Sequence, residues 1–193
     1  MPVKYKRWFF ARRAERYHDG EVAVATALWL RWRPKSVYDA GCACGSYLCG
    51  FRACGSTVAG SDISAVTSRR FAHRHIRPAI READLTQLWP PEKKYDLVIC
   101  INVLEHLAPE ATATALRNLR GLTRKRLFFA AATPGQSEVG VGHVNCRQRT
   151  DWRVALATFG FFPNHAETLE LQGLLKSLGN PFGLARRQIV CNT

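Results

Sequence analysis

At 193 residues the chain is long enough for one domain with a substantial buried core. Its 47% apolar and 22% charged content excludes a disordered chain, and the lack of any run of 18 apolar residues excludes a spanning helix. Twenty-one arginines and seven lysines face 15 carboxylates, a formal charge of +13 that attracts phosphates, nucleic acid or acidic surfaces without dictating a fold.

In chain order, the first 34 residues read as helical. Trp8, Phe9, Ala11, Ala14 and Tyr17 can form an apolar stripe beside arginines, and a second helix through Val22–Trp32 is stopped by Pro34. No apolar stretch of export-signal type follows Lys4, Lys6 and Arg7. A cytoplasmic setting is therefore expected, with the seven cysteines as reduced thiols. An alternation begins at Ser36, whose short strand runs to Asp39. A small-residue turn spans Gly41–Gly45, a helix Ser46–Cys54, a strand Thr57–Asp62 and a helix Ser64–Arg74. Weaker strand character covers Ala79–Ala83. Tyr95–Ile101 is nearly all apolar, as a strand buried on both faces requires. A helix over Pro109–Leu119, a strand over Arg126–Ala132, a helix over Thr150–Phe159 and a last strand over Arg187–Cys191 complete the pattern. Strands alternating with helices predict an α/β doubly wound, mostly parallel sheet, with any ligand at the carboxyl ends of its strands. Pro90-Pro91 and Thr133–Gly142 are loops, and the second holds Pro134 and three glycines after a strand.

Asp39-Ala40-Gly41-Cys42-Ala43-Cys44-Gly45 carries the strongest signal. A strand ends on a carboxylate and a small-residue turn then opens a helix, which lets backbone approach a ligand closely. Asp62 ends the next strand 21 residues after Gly41, where an acid can accept both hydroxyls of a ribose. A nicotinamide site is disfavoured, because Gly-x-Gly-x-x-Gly laid on Gly41 meets Ala43 and Ser46. Asp39 before the turn would also repel a pyrophosphate. A ligand bearing an ammonium and a sulfonium suits that charge. The bland alternatives are helix N-caps for Asp39 and Asp62 and a turn role for Asp84.

With Asp39, Gly41 and Gly45 the chain resembles class I S-adenosylmethionine (SAM) dependent methyltransferases, whose first motif is Asp/Glu-x-Gly-x-Gly-x-Gly. Ala43 replaces the middle glycine, a mild change at negative φ and a costly one at positive φ. The resemblance continues through Val58–Ser64, Ala83-Asp84-Leu85, Tyr95–Cys100 and Val103-Leu104-Glu105-His106-Leu107, the Leu-Glu-His-Leu type. It implies a seven-stranded Rossmann-like sheet and SAM as cofactor. Asp39, Gly41, Ala43, Gly45, Asp62, Ile63, Asp84, Leu85 and Cys100 are the implied cofactor residues. It also implies residues 1–34 as a substrate cover on a core of residues 35–193.

Cys42, Cys44, Cys49 and Cys54 have no zinc or iron–sulfur spacing and read as small apolar residues. Arg69–Arg77 and Arg117–Arg126 are basic clusters, either solvated faces or a nucleic-acid surface. His143, near Asn145 after the fifth strand's loop, joins Glu105 and His106 as the catalytic candidates, expected to converge near the methyl donor. Removing a proton from a hydroxyl acceptor gives such groups work to do. Ubiquinone-pathway and small-RNA 2′-O-methyltransferases carry Glu-x-x-Glu-His at this point and bind a divalent ion there. Asn102 stands for the first Glu, so Glu105, His106 and His143 are a weaker metal set, with Asn102 a possible extra ligand. The implied activity is O-methylation of a small-molecule acceptor such as a metabolite, sugar or quinone precursor. RNA methylation, and a catalytically silent SAM-fold binding protein, are the alternatives. No membrane partner is expected.

Overall fold

The computed structural model describes residues 5–90, 92–135, 142–179 and 184–193. Its elements are α1 (Arg7–Arg16), α2 (His18–Trp32), β1 (Ser36–Ala40), α3 (Ser46–Ala53), β2 (Thr57–Asp62), α4 (Ala65–Phe71) and β3 (Ile80–Glu82). These are followed by β4 (Tyr95–Ile101), α5 (Thr112–Leu122), β5 (Thr123–Ala130), α6 (Arg149–Thr158), β6 (Phe162–Pro163), α7 (His165–Ser177), α8 (Leu184–Arg187) and β7 (Gln188–Asn192). Short 3-10 turns cover Arg77–Ala79, Leu104–His106 and Pro109–Ala111. The strand order is β3-β2-β1-β4-β5-β7-β6, the mostly parallel, doubly wound sheet that the alternation predicts, with the seven strands that the resemblance implies. Two compact units make up the chain, Lys4–Asp84 and Leu85–Thr193.

In the unit Lys4–Asp84, β1 and β2 run parallel from Ser36 against Thr57 to Ala40 against Ser61, and β3 adds parallel to β2. Leu48, Ala65, Ala72, Ile76 and Ile80 form a core cluster with Cys42, while Phe10 packs with Ala43 and Cys44. Gly50 lets α3 lie directly against α2, since a Cβ there would stand 2.9 Å from the Val22 carbonyl oxygen. Helix α4 is shorter than the sequence pattern suggests. It stops at Phe71 because Ala72 turns extended, leaving His73–His75 outside the helix.

In the unit Leu85–Thr193, every residue of β4 is buried and pairs parallel with β5. Strand β5 starts at Thr123, earlier than expected, and β7 runs antiparallel to it. Phe129 and Trp152, ring centroids 5.2 Å apart, join strand β5 to helix α6 in the core. Helix α7 and strand β6 were not predicted. The Asn164 side chain accepts the Glu167 N–H and so caps α7, the capping arrangement that the Asn-x-x-Glu spacing signals. No helix among the described residues is long and apolar enough to cross a membrane.

Candidate functional site

The unit Lys4–Asp84 presents a glycine turn held by a carboxylate. The amides of Gly41 and Cys42 donate to the Ser61 carbonyl at 2.8 and 2.9 Å, tying the end of β1 to the end of β2. Gly41, Ala43 and Gly45 have φ of 82°, 42° and 72°. Only glycine enters that region freely, so Ala43 carries strain, the costly version of the motif's departure. A Cβ on Gly45 would meet Ile76 at 2.8 Å, and one on Gly60 would meet the Asp39 carbonyl oxygen at 2.9 Å. These glycines therefore keep the turn close to the strands.

Asp62 organises the turn. One of its oxygens accepts the Ala43 N–H at 3.0 Å and the other the Ser64 N–H at 2.8 Å. Each carboxylate oxygen retains a second lone pair for a ligand hydroxyl. Neither Asp39 nor Asp62 is a helix N-cap: α3 is preceded by Gly45 and α4 by Ser64. Ile63 and Asp84 are half-buried in the turns after β2 and β3.

Asp39 is buried, and its Oδ2 has no hydrogen-bond partner among the described residues. Burial first, and then the neighbouring Glu21, pushes the Asp39 carboxyl well above the usual carboxylate range, while Arg13 pulls the other way. Arg13 forms an ion pair with Glu21, which is 2% exposed. His18 Nδ1 lies 3.0 Å from the Ser46 hydroxyl, which opens α3. One guanidinium thus faces three carboxylates, Glu21, Asp39 and Asp62. The sequence reading missed Arg13 and Glu21, because an acid in the first turn of α2 looks like an ordinary dipole partner.

The four neighbouring cysteines behave as apolar residues. Cys42 and Cys44 sit in the core clusters, and burial pushes the Cys44 thiol up to about 12. The one group of three such side chains with metal-ligand proximity among the described residues is Glu105, His106 and His143.

That group lies in the unit Leu85–Thr193. Strand β4 ends at Ile101, Asn102 takes φ 56°, and the 3-10 turn Leu104–His106 follows. Ligand atoms of Glu105, His106 and His143 all lie within 4.8 Å of one another, and the two imidazole centroids are 4.7 Å apart. Glu105 is fully buried. Its Oε1 accepts the Ala132 N–H at 3.2 Å and its Oε2 has no partner among the described residues. Burial pushes its carboxyl up to about 7, against the pull of Arg187 and the Ala132 N–H.

The segment carrying His143 is pinned to this turn. The Glu105 carbonyl accepts the amides of Val144 and Asn145 at 2.8 and 3.1 Å. Buried Asn145 donates to the Leu104 carbonyl and the Thr112 hydroxyl, and Arg147 donates to both Asn145 and Thr112. Of the loop Thr133–Gly142, residues 136–141 lie outside the described residues.

Cys100 is fully buried in β4 and Leu85 is buried in the loop after Asp84. Asn118, which the sequence reading did not single out, donates to the carbonyls of Leu85 and Gln87 and shapes that loop. Asn102 is not free to serve an ion: its side-chain oxygen accepts Arg187 Nη1 at 2.9 Å.

Residues 37–126 match the model of the family described as a methyltransferase domain. No curated protein sequence matches the chain. Among solved structures the fold is similar to human N-acetylserotonin methyltransferase in complex with SAM, at 15% identity, TM-score 0.67, covering 97% of this chain and 55% of that one. The chain thus spans little more than half the length of that protein. It is similar to the sugar N-methyltransferase KedS8 from Streptoalloteichus, at 17% identity and TM-score 0.72, covering 100% and 94%. It is also similar to magnesium protoporphyrin IX methyltransferase from Synechocystis with S-adenosylhomocysteine bound, at 20% identity and TM-score 0.63, covering 100% and 89%. The chain thus has the Rossmann-like fold of these solved methyltransferases, and its residues 37–126 are similar to a methyltransferase domain.

Proposed function

We propose that the protein methylates a hydroxyl group of a small-molecule acceptor, using SAM. The observation that carries the cofactor reading is the surplus of carboxylate over guanidinium at the glycine turn. Glu21, Asp39 and Asp62 outnumber Arg13, and among the described residues Asp39 keeps an unpartnered oxygen. Buried charge is retained only where something offsets it, and a cationic ligand does so here. The turn residues suit such a ligand, because the glycines clear side chains from its backbone.

SAM supplies an electrophilic methyl group on a sulfonium. In this reading Asp62 accepts the ribose hydroxyls, Asp39 offsets the ligand's positive charge, and Asp84 meets the adenine. Glu105, His106 and His143 handle the acceptor's proton. A hydroxyl must lose its proton as it is methylated, and a base with a pKa near neutrality is best matched to that task. An imidazole takes the proton, and the buried Glu105, raised to about 7, is poised to share it. The similar structures named for small-molecule acceptors support this acceptor class.

The same three side chains form a potential ligand set. The donor chemistry favours the metal-free use, because Asn102 is engaged by Arg187, whose positive charge also acts on Glu105 and would oppose a dication. The test is transfer of labelled methyl from SAM to a panel of hydroxylated sugars and aromatics. At least one acceptor should be labelled, with or without chelator. His143→Ala or His106→Ala should lower turnover by about 100-fold or more while SAM binding persists. Activity lost to chelator and restored by Mn²⁺ would replace the base with a metal. Full activity in both variants would remove the histidines from the mechanism.

A further inference from the structure

Several cations of this chain are spent on the fold. Arg124 and Lys125 pair with Asp96, and Arg126 pairs with Glu167. Arg120 donates to the Thr123 carbonyl, and Arg117 lies over the Phe159 ring. The cluster Arg117–Arg126, attractive for nucleic acid in the sequence, therefore has local partners.

The other cluster differs. Arg52 lies in the last turn of α3, and His73, Arg74 and His75 follow α4, all within the unit Lys4–Asp84. All four are exposed, and among the described residues none forms an ion pair with a carboxylate. The rings of His73 and His75 lie 3.9 Å apart, centroid to centroid, at 37°. Desolvation, followed by the charges of His73, Arg52 and Arg74, pushes the His75 imidazolium below its ordinary value. Like charges gathered without an acid contribute nothing to folding, and their mutual repulsion is relieved by an anion.

We propose that Arg52, His73, Arg74 and His75 form a docking surface for single-stranded nucleic acid, with the guanidinium groups on phosphates and the paired imidazoles presenting a ring to a base. Guanidinium groups on phosphates release counterions, the main source of such affinity. Unpaired bases stack on exposed rings, histidine included, and this combination distinguishes single strands from duplex. An anionic membrane fits less well. Adsorption to lipid needs apolar side chains beside the cations, and from Arg52 to Ala79 the one large apolar side chain left exposed is Val66. The surface stands apart from the small-molecule reading and does not depend on it.

The test is fluorescence anisotropy of the full chain with a labelled, unstructured RNA of about 20 nucleotides across a salt series. Wild type should bind at low salt and lose affinity steeply as salt rises. Arg52→Glu with Arg74→Glu should weaken binding at least tenfold at about 50 mM salt and flatten the salt slope by about 1 to 2. Lys93→Glu with Lys94→Glu changes the net charge equally elsewhere and should stay within about twofold of wild type. Thermal-shift stabilisation by S-adenosylhomocysteine reports whether each variant is folded. If the Glu pair does not fold, Arg52→Gln with Arg74→Gln takes its place. Equal losses in both charge variants, or none in the Arg52/Arg74 pair, would overturn the surface. So would absence of RNA binding by wild type, or, in a parallel titration with phosphatidylserine vesicles, a loss in the Arg52→Glu, Arg74→Glu variant seen with vesicles and not with RNA.

Discussion

Ala43 shows what a single methyl group costs at the heart of the turn. Its φ of 42° forces an L-residue into the left-handed region while its amide is held by Asp62 at 3.0 Å. Ala43→Gly removes strain of about 1 to 2 kcal/mol, partly offset by the greater freedom of glycine in the unfolded chain. The variant should melt roughly 2 °C higher, and an unchanged or lower Tm would show that the turn holds Ala43 without strain. Glu105 gives a pH signature instead. Its carboxyl rises from 4.5 to about 7 on folding, so the folded state binds the extra proton. Stability from this group is present below the unfolded value, is lost as pH climbs from 4.5 through about 7, and then levels off. Glu105→Gln keeps a neutral side chain of the same shape, so its Tm relative to wild type should improve from pH 5 to pH 8. A difference independent of pH would mean that Glu105 is not held protonated. Asp39, Asp62 and Glu105 were legible in the sequence because strand ends and spacing mark them. The Arg13–Glu21 pair was not, because no local pattern says that a helix-start acid will be 2% exposed beside an arginine of the preceding helix.

At the scale of elements, periodicity and turn chemistry did most of the work where strands are buried. Strand β4 falls at Tyr95–Ile101, the bounds its apolar run suggests, and β2 at Thr57–Asp62, the bounds its place between the glycine turn's helix and Ser64 suggests. Helix α7 was hidden because Leu169 and Leu174 are exposed while Thr168 is buried, which blurs its apolar stripe. Its register is set by a polar residue: the Thr168 hydroxyl accepts the Val190 N–H of β7. The α2–α3 contact was equally hidden, since it depends on a glycine whose role is to be small. A Cβ on Gly50 would stand 2.7 Å from the Ala25 Cβ and 2.9 Å from the Val22 carbonyl oxygen, and neither neighbour has a flexible end to swing away. Gly50→Ala should therefore destabilise the protein by about 1 to 3 kcal/mol despite alanine's better helix propensity. Denaturant unfolding decides it, because a gain in stability would mean that α2 yields freely. The same displacement would disturb Glu21 at the start of α2, so SAM affinity should fall in the same variant.

Across the whole molecule, the acidic and basic side chains are unequally placed. Glu21, Asp39, Asp96 and Glu105 are buried, four of the 15 carboxylates, while the long basic side chains mostly reach water. The surface that solvent meets is therefore more cationic than the formal +13 suggests. Such a surface repels itself, and the repulsion opposes the compact state. Local ion pairs such as Arg126–Glu167, at 3.2 Å, act in the other direction, but a half-exposed pair contributes at most about 1 kcal/mol. Salt screens both effects. The long-range repulsion among many unpaired cations is weakened more than a few short contacts, because the Debye length shrinks from roughly 20 Å at low salt to about 8 Å at physiological strength. The protein should thus gain stability with sodium chloride, its Tm rising by about 2 to 5 °C between roughly 20 and 300 mM. A Tm that falls over that range would mean that paired charges dominate the balance. The Arg52→Gln, Arg74→Gln variant should show a smaller rise than wild type, because the cluster it dilutes is one of those salt relieves.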